Sequence, residues 1–195
     1  MEWARNMRVY VREPRAADAE AFIEKNRESL SLHRPWVYPM TTQAGYEAYL
    51  DRLGEDRYEG YLVCRKRDDE IVGAVNLSEI IRGSMNGAFV GYWGYQGYTG
   101  RGYLTEGLAL VFDQAFRSLG LHRLEINIQP TNTSSIALAR RLGLRKEGFS
   151  PKYLNIGGEW RDHERWAVLV DEWAEKGGSL WLRSRKYIER SNQEI

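Results

Sequence analysis

Apolar positions along the chain follow two spacings, with abrupt changes between them. Strict alternation marks Met7 to Arg12 (MRVYVR) and Arg123 to Gln129 (RLEINIQ), where every second side chain shares a face, as in a strand. Helical spacing marks longer stretches. One follows Asp18, a candidate N-cap, with Ala21, Phe22, Ile23 and Leu30 on its apolar side, and His33-Arg34-Pro35-Trp36 break it. A second runs from about Thr42 to Gly54 on Tyr46, Tyr49, Leu50 and Leu53. A third runs from Tyr103 to Leu119 on Leu104, Leu108, Val111, Phe112 and Ala115, and Gly120 stops it.

Shorter apolar runs predict strands at Gly60 to Arg65, Ile71 to Ser78 and Gly87 to Trp93, with Arg67-Asp68-Asp69 as a polar turn between the first two. Asn132 or Thr133 caps a helix that ends near Leu142, before Gly143. Two final strands lie around Arg145 to Asn155 and Arg161 to Val170, joined at Gly157-Gly158. The order is strand, two helices, three strands, helix, strand, helix, two strands. It predicts a mixed α/β domain on a hairpin-rich central sheet, distinct from the regular alternation of a doubly wound dinucleotide fold. One domain is expected over residues 1–175, followed by a charged tail over 176–195.

Composition narrows the function classes. The 195 residues suit one domain, and 43% hydrophobic with 28% charged residues supports a core without a disulfide or metal staple. Lys plus Arg number 28 against 27 for Asp plus Glu, so no global charge calls for nucleic acid or membrane. Cys64 is the single cysteine and sits in the apolar run Tyr61, Leu62, Val63, which reads as a buried structural thiol. That excludes an internal disulfide and favours a reducing compartment. Residues 1–12 show no apolar core of the signal-peptide kind, and no run approaches a membrane span, so a cytoplasmic protein is expected. The three histidines are scattered, so no metal is expected; His122 and His163 read as structural.

The chemistry is concentrated in Gln96 to Gly102 (QGYTGRG), between a strand and a helix start. The first helical turn leaves backbone N–H groups unpaired and carries the positive end of the helix dipole. Glycines at 97, 100 and 102 let that backbone approach an anion closely, which suits a pyrophosphate. A Walker loop needs Lys and Ser or Thr after its last glycine, where Tyr103 and Leu104 stand. A Rossmann fingerprint needs a third small residue where Thr105 stands, and a position after the first strand of a βαβ unit. A plain tight turn is the remaining alternative.

Gly100-Arg101-Gly102, after GAFVGYW and before YLTEGLALVF, resembles the coenzyme A signature of the GNAT acetyltransferase superfamily. Gly97 holds the signature's first position, where Gln or Arg is usual, and Gln96 lies one residue early, which leaves the backbone cradle intact. HRPWV at 33–37, Asn76-Leu77, IIRGS at 80–84, PTNTSSIALARRLGLRKEGF at 130–149 and YLNIGGEWRDH at 153–163 are similar to the RimJ/RimL-type branch, which includes ribosomal-protein N-terminal acetyltransferases. The resemblance spans about residues 7–170 in order. It implies a mostly antiparallel sheet, splayed at the coenzyme site, with helices on both faces.

The resemblance also implies roles. The splay would open between the strand ending at Tyr92 and Trp93 and the strand starting near Arg123, and acetyl-CoA would lie in it. Tyr98, Thr99, Gly100, Arg101, Gly102, Tyr103 and Leu104 would hold the pyrophosphate. Asn132 and Ser135 would face the thioester. Arg140 and Arg141 are candidate phosphate partners or a solvated helix face. Many members carry a tyrosine acid after a leucine of this helix; here Leu138 is followed by Ala139, so Ser135 is the candidate for serving the thiolate. Glu79 is the candidate base, Glu106 supports the helix start, and His33 and Tyr153 are candidates for the acceptor groove.

Without a strong base, acceptors differ by the cost of a neutral amine. An α-amine has a pKa near 7.7–8.0 and lysine one near 10.4, a gap of about 3.4 kcal/mol. A protein N-terminus, with ribosomal proteins as one class, is therefore the expected acceptor. A small amine (polyamine, amino acid or drug) and a non-catalytic acyl-CoA-binding regulatory domain remain open, as does a homodimer. No contact with membrane or nucleic acid is expected.

Overall fold

The computed structural model describes residues 7–178. Seven strands form one sheet in the order β1-β2-β3-β4-β5-β7-β6. They are β1 (Val9–Arg12), β2 (Glu59–Arg65), β3 (Ile71–Ile81), β4 (Gly87–Gly94), β5 (Arg123–Ile128), β6 (Arg145–Ile156) and β7 (Glu159–Leu169). Every neighbouring pair is antiparallel except β4 and β5, which run parallel. The mixed, mostly antiparallel architecture agrees with the sequence expectation.

Helices cover both faces. α1 (Ala19–Glu28), the short α2 (Leu30–His33) and α3 (Gln43–Leu53) lie on one side. There Phe22, Tyr46 and Tyr49 pack on Leu62, Cys64, Ala74 and Trp93 of β2 to β4. α4 (Tyr103–Asp113) and α5 (Thr133–Arg141) lie on the other. Leu108, Val111, Phe112, Leu138 and Ala139 pack there on Val63, Val75, Val90, Leu124, Ile126 and Trp166. Cys64 is fully buried, as expected of a structural thiol.

Some local expectations are corrected. Asp18 makes no helix cap bond of its own; its carboxylate takes two hydrogen bonds from Arg12 (2.6 and 2.7 Å) and one from the Arg15 N–H (2.7 Å). The stretch from Tyr103 is α-helical only to Asp113 and widens to a π-turn over Gln114–Ser118, which keeps both Phe112 and Phe116 buried. β7 ends at Leu169, and Val170 opens α6 (Val170–Glu175), because Glu172 accepts the Leu169 N–H and Trp173 buries against Phe112 with its Nε1–H on Asp113 (2.8 Å). Residues 179–195 of the expected tail lie outside the described residues.

The feature that positions the site is the junction of β4 and β5. They share three rungs, Gly87 with Arg123, Ala88 with Leu124 and Phe89 with Glu125, and part beyond Phe89. Val90 to Gly94 keep their partners on β3 but have none on β5, so the sheet forks.

Candidate active site

The glycine-rich loop closes onto the start of α4 at the tip of this fork. Gly102 is the N-cap residue, with φ at +77° and no side-chain cap bond, so the first N–H groups of α4 have no side chain to serve them. Gly97 and Gly100 also have positive φ (83° and 72°), and a Cβ at either would meet no atom within 4 Å. The loop backbone is therefore open to an incoming anion, which is what a diphosphate requires.

Both helical layers hold the loop in place. From one side, the Gln96 N–H donates to Ser29 Oγ at the end of α1 (2.9 Å). From the other, Arg8 donates its backbone N–H (2.8 Å) and its Nε–H (2.7 Å) to Glu106, and its Nη2 to the Arg101 carbonyl (2.8 Å). Glu106 thus supports the helix start through Arg8, a residue the sequence reading did not single out. The two are 98 positions apart, so no local pattern joins them. Tyr98 and Tyr103 meet edge to face at 6.4 Å, with Arg65 against both rings. Thr99 and Arg101 are exposed, and Leu104 is half-buried beside Gly94.

At the inner end of the fork, the side chains of β4 point alternately to the two faces. Trp93 turns to the α1 side and donates to Asn26 Oδ1 (3.0 Å), so its backbone is what it offers the fork. Tyr92 turns to the α5 side. Its hydroxyl is buried without a hydrogen-bond partner. Burial pushes its pKa up to about 12, and nearby Ser135 partly offsets that rise. Asn132 caps α5 by accepting the Ser135 N–H (3.1 Å), which fixes Ser135 in the first turn. Tyr92, Asn132 and Ser135 are thus brought together. Arg140 lies over the Trp166 ring at 5.7 Å on the exposed side of α5.

Glu79 is placed differently. It sits in a bulge of β3 with φ at +50°, ion-paired to Arg57 and accepting from Tyr58 Oη (2.8 Å). Its carboxylate is already engaged by a cation and a hydroxyl.

The segment after α2 bridges the mouth of the fork on the α1 side. His33 donates from Nε2 to the Gly94 carbonyl (2.8 Å), and its Nδ1 is buried without a partner. Burial lowers the pKa of this ring. The Pro35 carbonyl accepts from Gln129 Nε2 at the end of β5 (3.5 Å). Tyr38 lies over Gly157 at the β6–β7 turn, so closely that a Cβ there would collide with its ring. Tyr153 packs on His163, which is 3% exposed and donates from Nδ1 to the Arg161 carbonyl (2.9 Å). The segment and the β6–β7 hairpin therefore flank the fork on the face opposite α4 and α5, and the space between them is the candidate acceptor groove. Among the described residues no group of three His, Cys, Asp or Glu could hold a metal ion, and no helix is long and apolar enough to cross a membrane.

Comparisons with known proteins agree with this arrangement. The acetyltransferase (GNAT) domain family matches residues 8–145. The [ribosomal protein uS5]-alanine N-acetyltransferase of Escherichia coli is 32% identical over 178 residues, covering 85% of this chain and 90% of its own. The structure of Mycobacterium smegmatis RimJ in complex with CoA-disulfide superposes with a TM-score of 0.76 at 27% identity, covering 87% of this chain and 90% of that one. A spermidine N-acetyltransferase from Vibrio cholerae, in complex with CoA and spermine, shares the fold (TM-score 0.73, 86% and 98% covered) at 17% identity. A forked sheet with a glycine-rich helix start, matched along most of the chain, identifies this protein as an N-acetyltransferase of the GNAT family.

Proposed function

We propose that the protein acetylates the α-amine of a protein or peptide N-terminus, with acetyl-CoA as donor and a ribosomal protein as one candidate acceptor. The observation that carries this reading is the state of the carboxylates around the groove. Glu79 is taken by Arg57 and Tyr58, Glu159 by Arg161, and Glu125 by Arg123. A polyamine carries several cations that need free carboxylates, whereas a peptide needs room for one neutral amine and an extended backbone. The relative that acts on the alanine of uS5 supports the same class.

Acetyl-CoA would supply the activated acyl carbonyl. The N–H groups at Gly102 and the start of α4, with the Gly97 and Gly100 backbone, would hold its pyrophosphate. The unpaired backbone of Val90 to Gly94 offers an edge to its amide arm. Ser135 Oγ, with Tyr92 Oη near it, would give a hydrogen bond to the departing sulfur, the part that a tyrosine would take in place of Ala139. His33, neutral because it is buried, shapes the groove without acting as a cation. Glu79, the candidate base, is engaged by Arg57 and Tyr58, so the acceptor's own ionisation would govern its reactivity.

The test is mass spectrometry of two peptides after incubation with enzyme and acetyl-CoA. One has a free N-terminus and no lysine, and the other a blocked N-terminus and one lysine. Acetylation of the first alone is expected. Lysine-only modification would refute the reading, and turnover of spermidine with neither peptide would move the function to small amines.

A further inference from the structure

β5 and β7 carry two different faces. Leu124, Ile126 and Ile128 of β5, with Trp166 and Val168 of β7, pack towards α4 and α5. By alternation, Arg123, Glu125 and Asn127, with Arg165 and Ala167 opposite them, face the groove side. α1 and α3 bury residues of β2 to β4 there but none of β5 to β7. This floor is polar, yet Glu125, Gln129 and His163 are each 8% exposed or less.

Two groups in the floor are unsatisfied. Arg165 Nε and Asn127 Oδ1 are both buried without a hydrogen-bond partner, although the two residues stand directly opposite each other on β7 and β5. The guanidinium of Arg165 lies across β6 at Gly148, where a Cβ would come within 2.7 Å of Nη2. Carboxylates nearby are already paired: Glu125 with Arg123 (3.0 Å), and Glu147 with Arg123 and with Arg145 (2.6 Å). A half-buried guanidinium with no ion pair among the described residues is a costly arrangement unless a ligand supplies the anion. Asn127 lies two residues beyond the last β4–β5 rung, about 7 Å into the fork at the rise of a strand, on the groove side.

We infer that Arg165 and Asn127 form an acceptor-recognition subsite for a carboxylate carried close to the reacting amine. It rests on the acceptor reading above and sharpens it. Arg165 would donate to the carboxylate in a two-point contact, and Asn127 Oδ1 would accept a neighbouring backbone N–H of the acceptor. The carboxylate is either an Asp or Glu side chain in the first residues of a peptide or the main-chain carboxylate of an amino acid.

The test measures kcat/KM of the full-length protein on free-N-terminus peptides matched except for Glu or Gln at position 2 or 3, with free amino acids as a separate arm. The Glu peptide should exceed its Gln partner by about tenfold at one position, the scale of one hydrogen bond to a charged group. A free amino acid that outcompetes every peptide would assign the carboxylate to the main chain instead. Arg165→Met should bring the ratio near one, and Arg165→Glu should favour a Lys peptide over its Glu counterpart. Binding of acetyl-CoA by calorimetry certifies that each variant is folded. Equal rates on Glu and Gln peptides with no preference for an amino acid, or a preference that survives Arg165→Met, would overturn the subsite. Acetylation of N-termini would still stand in either case, since it is read from turnover and not from the ratio.

Discussion

Arg8 grips Glu106 through both its backbone N–H and its Nε–H, and with its remaining reach it holds the Arg101 carbonyl of the glycine-rich loop. The start of β1 is thereby tied to the start of α4, and the loop backbone is held in the orientation an anion needs. Arg8 is about half-exposed, so its charge alone stabilises little. Its effect is on loop geometry. Arg8→Met is expected to weaken acetyl-CoA binding about fivefold, the scale of one or two modest hydrogen bonds, with a small change in Tm. Isothermal calorimetry alongside thermal unfolding checks both; a large fall in Tm with unchanged affinity would make the contact purely structural.

Gly102→Asp addresses the cradle directly. Any side chain is strained at φ +77°, a Cβ would lie 3.0 Å from Arg8 Nη2, and the carboxylate would face the phosphates. The affinity for acetyl-CoA should fall by several kcal/mol, and the backbone strain should lower folding stability by about 1–2 kcal/mol. Gly102→Ala separates the two contributions, since it carries the strain without the charge. Calorimetry on the pair gives the difference.

Ser135→Ala should lower kcat and leave acetyl-CoA affinity nearly unchanged, because a hydrogen bond to the leaving sulfur matters most in the transition state. Tyr92→Phe should lower kcat in the same direction by a smaller factor. In the double variant the two losses should fall short of additive, as expected for neighbouring hydroxyls acting together. Full additivity in steady-state assays would show that Tyr92 and Ser135 act independently.

Acid should destabilise the fold through buried histidines. Burial lowers the pKa of both His33 and His163 below its usual value near 6.5. The unfolded chain then binds more protons than the folded one, so stability is present above about pH 6.5 and is lost as pH falls towards the folded values. His33→Gln keeps a donor for the Gly94 carbonyl without the ionisation. It should flatten part of the fall in Tm between pH 7 and 5, measured by circular dichroism.

Alkali acts through the tyrosines. Burial raises Tyr46 and Tyr92 to about 12 and pushes Tyr49, Tyr61 and Tyr95 up as well. Their folded values exceed the unfolded value near 10, so stability is full below about pH 10 and declines as pH climbs towards the folded values. Tyrosine ultraviolet absorbance should change together with loss of circular dichroism, in one transition above pH 10.

The local parts of this molecule were legible in the sequence. The Gln96–Gly102 loop, the helix behind it and the Asn132 cap are set by residues a few positions apart, and spacing reveals them. α6 escaped because Val168-Leu169-Val170 extends the apolar run of β7, while the signals that end the strand are Glu172 on the Leu169 N–H and the burial of Trp173. Asp18 looked like a cap by position, but Arg12 on the neighbouring strand binds its carboxylate. Glu79 looked available for the same reason, until folding brought Arg57 and Tyr58 beside it. Arg8 with Glu106 and Asn127 with Arg165 meet only through sheet order, which no spacing encodes.

The three-rung junction of β4 and β5 leaves room for a surrogate strand, the part the donor would take under the proposed function. Amides of Val90 to Gly94 on the fork side have no strand across from them, so they should exchange with solvent faster than their β3-paired neighbours despite lying mid-sheet. Seating a ligand there would zip the two half-sheets together. Acetyl-CoA at a hundred times its Kd would add about 2.7 kcal/mol of stability, and the slowing of exchange should be largest at the fork. A donor seated in the fork would complete the sheet that β4 and β5 leave open, and coenzyme loading would then be a folding event on a small scale.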